Sequence, residues 1–202
     1  MRPLILICLL AAILTGCETR PSWKRQFFAF SLPADPPITN ASDRIVALNR
    51  VSISPTFQSR SFTYRTGDNS YEQDPYAGFL IPPERALAEA IRASMRASGV
   101  FGRVVDPGSA ITPTVLVEAS INELYGDFRQ ASRPIGTMGI HIICYEVQDG
   151  EPRHIIFDKY CLQETALARK TPSALVAAWD EDLREIMNQI NSEYAKTNST
   201  AR

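Results

Sequence analysis

The sequence predicts an α+β domain: a mostly antiparallel or mixed sheet with two amphipathic helices packed on one face. Three observations carry this. Leu87, Ile91, Met95 and Ser98 fall on one face of a segment that follows Pro82-Pro83, holds Glu84 in its first turn and stops at Gly99; these signals bracket a helix from both ends. After Thr171-Pro172, an N-cap followed by an N1 proline, Leu175, Trp179, Leu183, Ile186 and Ile190 repeat at spacings of four, four, three and four, an amphipathic helical stripe. Between these helices, Ile140 to Val147 and His154 to Leu162 flank Asp149-Gly150, a strong hairpin turn signal.

The first seventeen residues precede this domain. An unbroken apolar run from Leu4 to Leu14 follows the single charge of Arg2 and ends in Leu14-Thr15-Gly16-Cys17. A charged start, a short apolar stretch and small residues before a cleavage point make a secretory signal, and the run is shorter than the ~20 residues that span a bilayer. Small residues before a cysteine suit cleavage by a lipoprotein signal peptidase after Gly16, leaving Cys17 as a lipid-modified amino terminus. Residues 1–16 are therefore expected to be a bacterial lipoprotein signal peptide. Several acyl chains on Cys17, each methylene contributing ~0.8 kcal/mol, anchor where a single chain binds only marginally. Residues 17–26 are polar, contain Pro21 and read as a lipidated tether spanning at most ~30 Å. Glu18 follows Cys17 where inner-membrane retention commonly uses aspartate, which places the expected anchor on the periplasmic face of the outer membrane.

Residues 27–194 form the expected single domain, and 195–202 a polar, frayed tail. Phe27 to Leu32 reads as a first strand, followed by a turn-rich loop from Pro33 to Asp43. Ile45 to Ile53 makes a second strand ending before Pro55, and Phe62 to Arg65 a third, with aromatic residues on one face. Thr66 to Tyr76 has no hydrophobic period and reads as a long exposed loop, a class of segment that is often functional. Val100 to Val105 is a short strand. Val115, Val117, Ala119 and Ile121 alternate with Leu116, Glu118, Ser120 and Asn122 in a half-buried strand running towards Phe128.

Cleavage after Gly16 leaves 186 of the 202 residues, enough for one domain with a substantial core. The whole chain has 21 basic and 22 acidic side chains; loss of Arg2 with the signal brings the mature net charge to −2. Neither a nucleic-acid footprint nor a polybasic membrane patch is implied. Cys8 leaves with the signal and Cys17 is acylated, so Cys144 and Cys161 are the thiols that could pair. Their compartment favours a disulfide. A two-residue turn at Asp149-Gly150, however, sets Cys144 opposite Ile155 and Cys161 opposite Met138. Even a longer loop leaves the cysteines roughly 10 Å out of register, beyond the ~7 Å limit between bridged Cα atoms. They are expected to stay reduced.

Candidates for catalysis are poor. There is no phosphate-cradling glycine loop, nucleophile turn or His-Glu-x-x-His helix. His141 and His154 share a hairpin with the two thiols, but their spacing matches no zinc pattern of close ligand pairs, and no cofactor is expected. The carboxylates of Trp179-Asp180-Glu181-Asp182 fall outside the apolar stripe and read as a solvated helix face. Phe27 to Phe30 and Tyr71 to Phe79 read as a core strand and a loop staple, with an apolar binding surface as the alternative.

The order of features resembles the auxiliary lipoproteins of ABC-type transport systems, which include the PqiC-like partners of MCE-domain lipid transport proteins. After the cleavage motif, Phe28 to Leu32 is similar to the family's first short aromatic strand. Arg44 to Pro55 resembles its next strand, which ends at a proline. Phe62 to Arg65 resembles the segment that a loop usually follows, Phe79 to Leu87 the start of the first helix, and Ile121 to Phe128 the central strand. The family often has tryptophan where Phe79 stands. The resemblance implies a non-enzymatic envelope component that helps move phospholipid or other hydrophobic solutes between membranes with an MCE-type partner; a homo-oligomer is a further partner option that the sequence leaves open. The other reading is a lipoprotein that assembles or stabilises a secretion or outer-membrane assembly machine. The resemblance carries over no partner-contacting residue; the segment from Thr66 to Tyr76 is the exposed candidate.

Overall fold

The computed structural model describes residues 24–33 and 44–200. In chain order the strands are β1 (Gln26–Phe28), β2 (Ile45–Ile53), β3 (Ser61–Arg65), β4 (Tyr71–Phe79), β5 (Arg103–Val105), β6 (Val115–Asp127), β7 (Ile135–Gln148) and β8 (Glu151–Ala166). Helix α1 (Pro83–Ser98) lies between β4 and β5, and α2 (Pro172–Thr200) follows β8. The eight strands of the described residues belong to one mixed sheet, so the α+β expectation holds.

Strand β6 organises the sheet. It pairs antiparallel with β7 along its whole length, while β2 lies parallel to its first part and β3 parallel to its end. β8 continues from β7, β4 and then β1 continue from β3, and β5 flanks β2. The period-two pattern sorts the side chains between the two faces. Val117, Cys144 and Phe157 stand side by side across three strands, as do Ile121, Ile140 and Cys161, and all six are buried. The helices cover this face. Leu87, Ile91 and Met95 of α1 and Leu175, Trp179, Leu183, Ile186 and Ile190 of α2 are all in the core.

Local signals explain the element ends. Gly99 takes φ 64° at the end of α1, with its N–H donating to the Arg96 carbonyl at 3.2 Å, a left-handed stop that glycine adopts without penalty. Asp149 and Gly150 have φ of 55° and 83°, which suits a two-residue hairpin turn with positive φ at both central positions.

Four expectations change. The segment 66–76 is not one long loop: β4 begins at Tyr71, and the connection shrinks to 66–70. The register between β3 and β4 shifts between Ser61 and Thr63. There Asp74 Oδ1 accepts the N–H groups of Tyr76 (2.8 Å) and Ala77 (2.9 Å), so Pro75 and its polar neighbours sit in a bulge where proline is tolerated. The first strand is shorter than predicted and starts one residue inside the tether reading, at Gln26. Helix α2 runs on to Thr200, so the polar stretch from Ala195 is helical rather than a frayed tail up to that point. Two irregularities between β7 and β8 move the register, setting Cys144 opposite Phe157 and Cys161 opposite Ile140.

Candidate functional site

The connections β3–β4 (66–70) and β6–β7 (128–134) meet at one end of the sheet, because β3 lies parallel to the last residues of β6. Thr66 N–H donates to the Ser70 carbonyl at 2.9 Å, closing the first connection. The Arg65 guanidinium braces it from beneath, donating to the carbonyls of Gly67 (3.3 Å) and Asp68 (2.8 Å). From the second connection, Arg129 grips both oxygens of Asp127, with Nε at 3.0 Å from Oδ1 and Nη2 at 2.6 Å from Oδ2. Its Nη1 reaches Asp68 Oδ1 at 3.3 Å. The hydrogen bonds from Arg129 hold the Asp127 carboxyl below the usual carboxylate range. Two loops are thereby tied by a forked cation, and Asp68 presents a side chain that is 90% exposed.

Aromatic side chains support this end. Phe57, from the turn before β3, stacks on Tyr125 at 5.6 Å and meets Tyr71 edge-on at 6.1 Å, with Tyr71 and Tyr125 at 5.8 Å. Tyr64 stacks on Phe128 at 4.6 Å, and Lys170 Nζ sits 4.5 Å over the Phe128 ring. Tyr64 also donates its hydroxyl to Asp74 Oδ2 at 2.6 Å; burial first, then this bond, pushes the Tyr64 hydroxyl pKa well up. The result is a stiff platform of charged and aromatic groups, the kind of surface that recognises a partner from a rigid scaffold. Sequence reading found the loop but missed Phe57, Tyr125 and Arg129. These residues come from three separate segments, and only strand pairing brings them together.

The other predicted residues do not converge. Gly16 and Cys17, the cleavage and acylation positions, lie outside the described residues. Cys144 and Cys161 are free and buried beneath the helices. His141 is on the opposite face of the sheet, where its Nε2 meets the Asp158 carboxylate, and His154 is exposed on β8. The sheet itself therefore separates the thiols from His141. Among the described residues, no three or more His, Cys, Asp or Glu side chains are grouped to hold a metal.

The acidic run on α2 is not a uniformly solvated face. Asp180 accepts the Ser31 N–H at 2.9 Å and hydroxyl at 2.7 Å, which ties the N-terminal segment to the helix. Asp182 is 1% exposed and faces the sheet. Glu181 alone fits the solvated reading, pairing with Arg184 one turn away on the surface.

No family model matches the chain, and no curated protein matches its sequence. Solved structures do share its fold. A Xanthomonas campestris protein of family DUF330 is 14% identical, with a TM-score of 0.67 over 89% of this chain and 97% of its own. An uncharacterized protein is 11% identical, with a TM-score of 0.65 over 84% and 98%. Lipoprotein GNA1162 from Neisseria meningitidis, 9% identical over 71% of this chain and 97% of its own, reaches a TM-score of 0.36, too low to carry an argument. The chain therefore shares the overall fold of the first two proteins, at identities that show the fold alone.

Proposed function

We propose that this chain is a non-catalytic, lipid-anchored component of an ABC/MCE-type envelope transport system that moves phospholipid or other hydrophobic solutes between membranes. The observation that carries the reading is the braced platform around Asp68, Arg129 and Tyr71, set at one end of the sheet. The chain enters at the other end: Arg25, just before β1, donates to Ser61 Oγ at the start of β3 at 3.0 Å, while the 66–70 connection follows the end of that strand, about 15 Å further on. A domain anchored at one end and presenting a rigid recognition surface at the other suits an adaptor that docks the end of an elongated partner. The fold likeness supports it, since the PqiC-like lipoproteins are a DUF330 family. Among the described residues no helix is long and apolar enough to cross a membrane; attachment through a lipidated Cys17 is part of the proposal.

Affinity purification from solubilised envelopes tests the reading. The chain should recover an MCE-domain protein, and shortening 66–70 should weaken that recovery while the domain stays folded. Cys17→Ala should abolish fatty-acid incorporation. Repeated recovery of secretion or outer-membrane assembly components alone rejects the transport role in favour of a lipoprotein that assembles one of those machines.

A further inference from the structure

We propose that the surface around the chain's entry into the sheet, built on Phe27, Leu32 and Leu80 with Arg25 and Arg60, lies against the anionic phospholipid surface of the membrane that holds the anchor. The proposal rests on acylation of Cys17 and adds to it an orientation. Phe27, Leu32 and Leu80 are 47%, 48% and 56% exposed. Phe27 and Leu80 are neighbours in space: Phe27 pairs with Gly78 of β4, and the Leu80 N–H donates to the Phe28 carbonyl at 2.7 Å, while Leu32 lies beside Ile81 in the adjoining cleft.

Two cations are fixed among these apolar groups. The guanidinium carbons of Arg25 and Arg60 lie 5.5 and 5.2 Å from the centre of the Phe27 ring, within cation–π range. Arg60 is held from behind, its Nε donating to the Phe79 carbonyl at 3.0 Å and its Nη2 to that of Leu80. The close approach needs a glycine: a Cβ on Gly78 would collide with the Arg60 carbonyl oxygen. Next to this patch, Leu32, Ile81 and Arg85 line a cleft of about 580 Å³, so apolar and cationic groups continue side by side. Asp106 engages Arg92 and Arg96 at the cleft's other side.

A bilayer is the occupant this chemistry fits. Its interface accepts apolar side chains while its phosphates attract guanidinium groups. Only the residues 18–23 separate Cys17 from the first described residue, Lys24. Fully extended, that segment spans about 25 Å, so the patch lies within that reach of the anchor. No run of basic residues announces the site in the sequence, because the fold assembles it from residues 25, 60 and 85. With this surface on the lipid, the 66–70 connection points away from the membrane.

Depth measurements on the full, acylated protein in vesicles of phosphatidylethanolamine and phosphatidylglycerol test the orientation. Nitroxides are placed in separate samples at Leu80→Cys and, on the far loop, at Asn69→Cys; the native thiols are buried. The label at 80 should lie at the headgroup boundary, to a depth of about 5 Å, with oxygen access raised and nickel-chelate access several-fold below that at 69. Equal aqueous exposure at both positions, with fatty acid present on Cys17, overturns the orientation while leaving the anchor. Loss of access to both probes at 80 indicates a protein covering the patch and also overturns it. Absence of fatty acid on Cys17 rejects the anchor reading, and the orientation with it.

Discussion

Thr165 donates its hydroxyl to Asp182 Oδ1 at 2.6 Å, joining β8 to α2 inside the helix–sheet interface. The second carboxylate oxygen, Asp182 Oδ2, is buried and has no hydrogen-bond partner. A carboxylate in that position is costly when charged, and burial, with smaller contributions from Glu181 and Glu164, pushes its pKa up to about 7 against the opposing bond from Thr165. The folded state thus holds a proton that the unfolded chain, with an ordinary aspartate pKa near ~3.9, releases much earlier.

The sign follows from linkage. Between about pH 4 and pH 7 the folded state binds more protons at this residue than the unfolded state, so stability falls as pH rises through that window. The contribution is complete below about pH 4 and lost above about pH 7, with an upper bound of about 4 kcal/mol. Asp182→Asn keeps the acceptor for Thr165 and removes the titration. The difference in urea midpoint between the variant and the parent should grow from pH 5 to pH 8 in the variant's favour. A difference that stays flat across that range refutes the buried proton.

The two thiols should be inert in the native protein. Cys144 is pushed up to about 12, chiefly by burial, and burial also raises Cys161. Thiolate, the reactive form, is therefore scarce at neutral pH. Register puts Cys161 opposite Ile140 and Cys144 opposite Phe157, a separation of roughly 13 Å along β8 that excludes a bridge. Iodoacetamide should label neither thiol in the folded protein and both in urea without reductant. A Cys144–Cys161 peptide found by mass spectrometry contradicts the register.

Much of this register was legible in the sequence, and the part that was not has a physical cause. Asp149-Gly150 specified the turn, and its two-residue geometry already kept the thiols apart. The two irregularities that shift Cys144 from Ile155 to Phe157 left no local mark, because a bulge depends on both strands. Both helices were readable from stripe, proline and glycine alone. Strand β4 was not, since Asp74, Pro75 and Gly78 look like a loop until β3 lies alongside and Tyr64 binds Asp74. Asp182 was misread for a related reason. Helical position separated it from the main stripe, but α2 packs broadly enough on β7 and β8 to bury a polar residue beside that stripe.

Gly136 should not tolerate a side chain. A Cβ at this position would stand 2.8 Å from the Cβ of Ala178, where α2 rests on β7. Neither atom ends a flexible side chain, so the helix must move away from the sheet. Gly136→Ala is expected to cost about 1–3 kcal/mol. Ala178→Gly has its own helix-propensity cost of about 1 kcal/mol, but the double variant should be more stable than the two single losses added together. Additive losses in a denaturation cycle place the strain elsewhere.

Arg129 should control the order of the candidate recognition end more than the stability of the domain. It lies on the surface and joins Asp127 to Asp68, so Arg129→Ala cuts the link between the two connections. Arg65 still holds the carbonyls of Gly67 and Asp68, and the core beneath is untouched. Amide exchange at Gly67 to Ser70 should therefore quicken while the global unfolding midpoint barely moves, as local opening separates from global unfolding. The Asp127 carboxyl keeps the backbone N–H of residue 129, at 3.1 Å from Oδ1, but loses the guanidinium bonds that lower it most, so it should titrate higher, towards the ordinary range. In the parent protein its depressed pKa gives a contribution that is present above the unfolded pKa and lost as pH falls through the folded one; the variant should show less of this acid sensitivity, since the backbone N–H of residue 129 and Arg65 still act on the carboxyl. Carboxyl-carbon NMR reads the titration, and hydrogen exchange reads the loop. If the Asp127 titration moves while exchange at 67–70 stays at the parent rate, Arg65 alone orders the connection and the bridge to Asp68 does not.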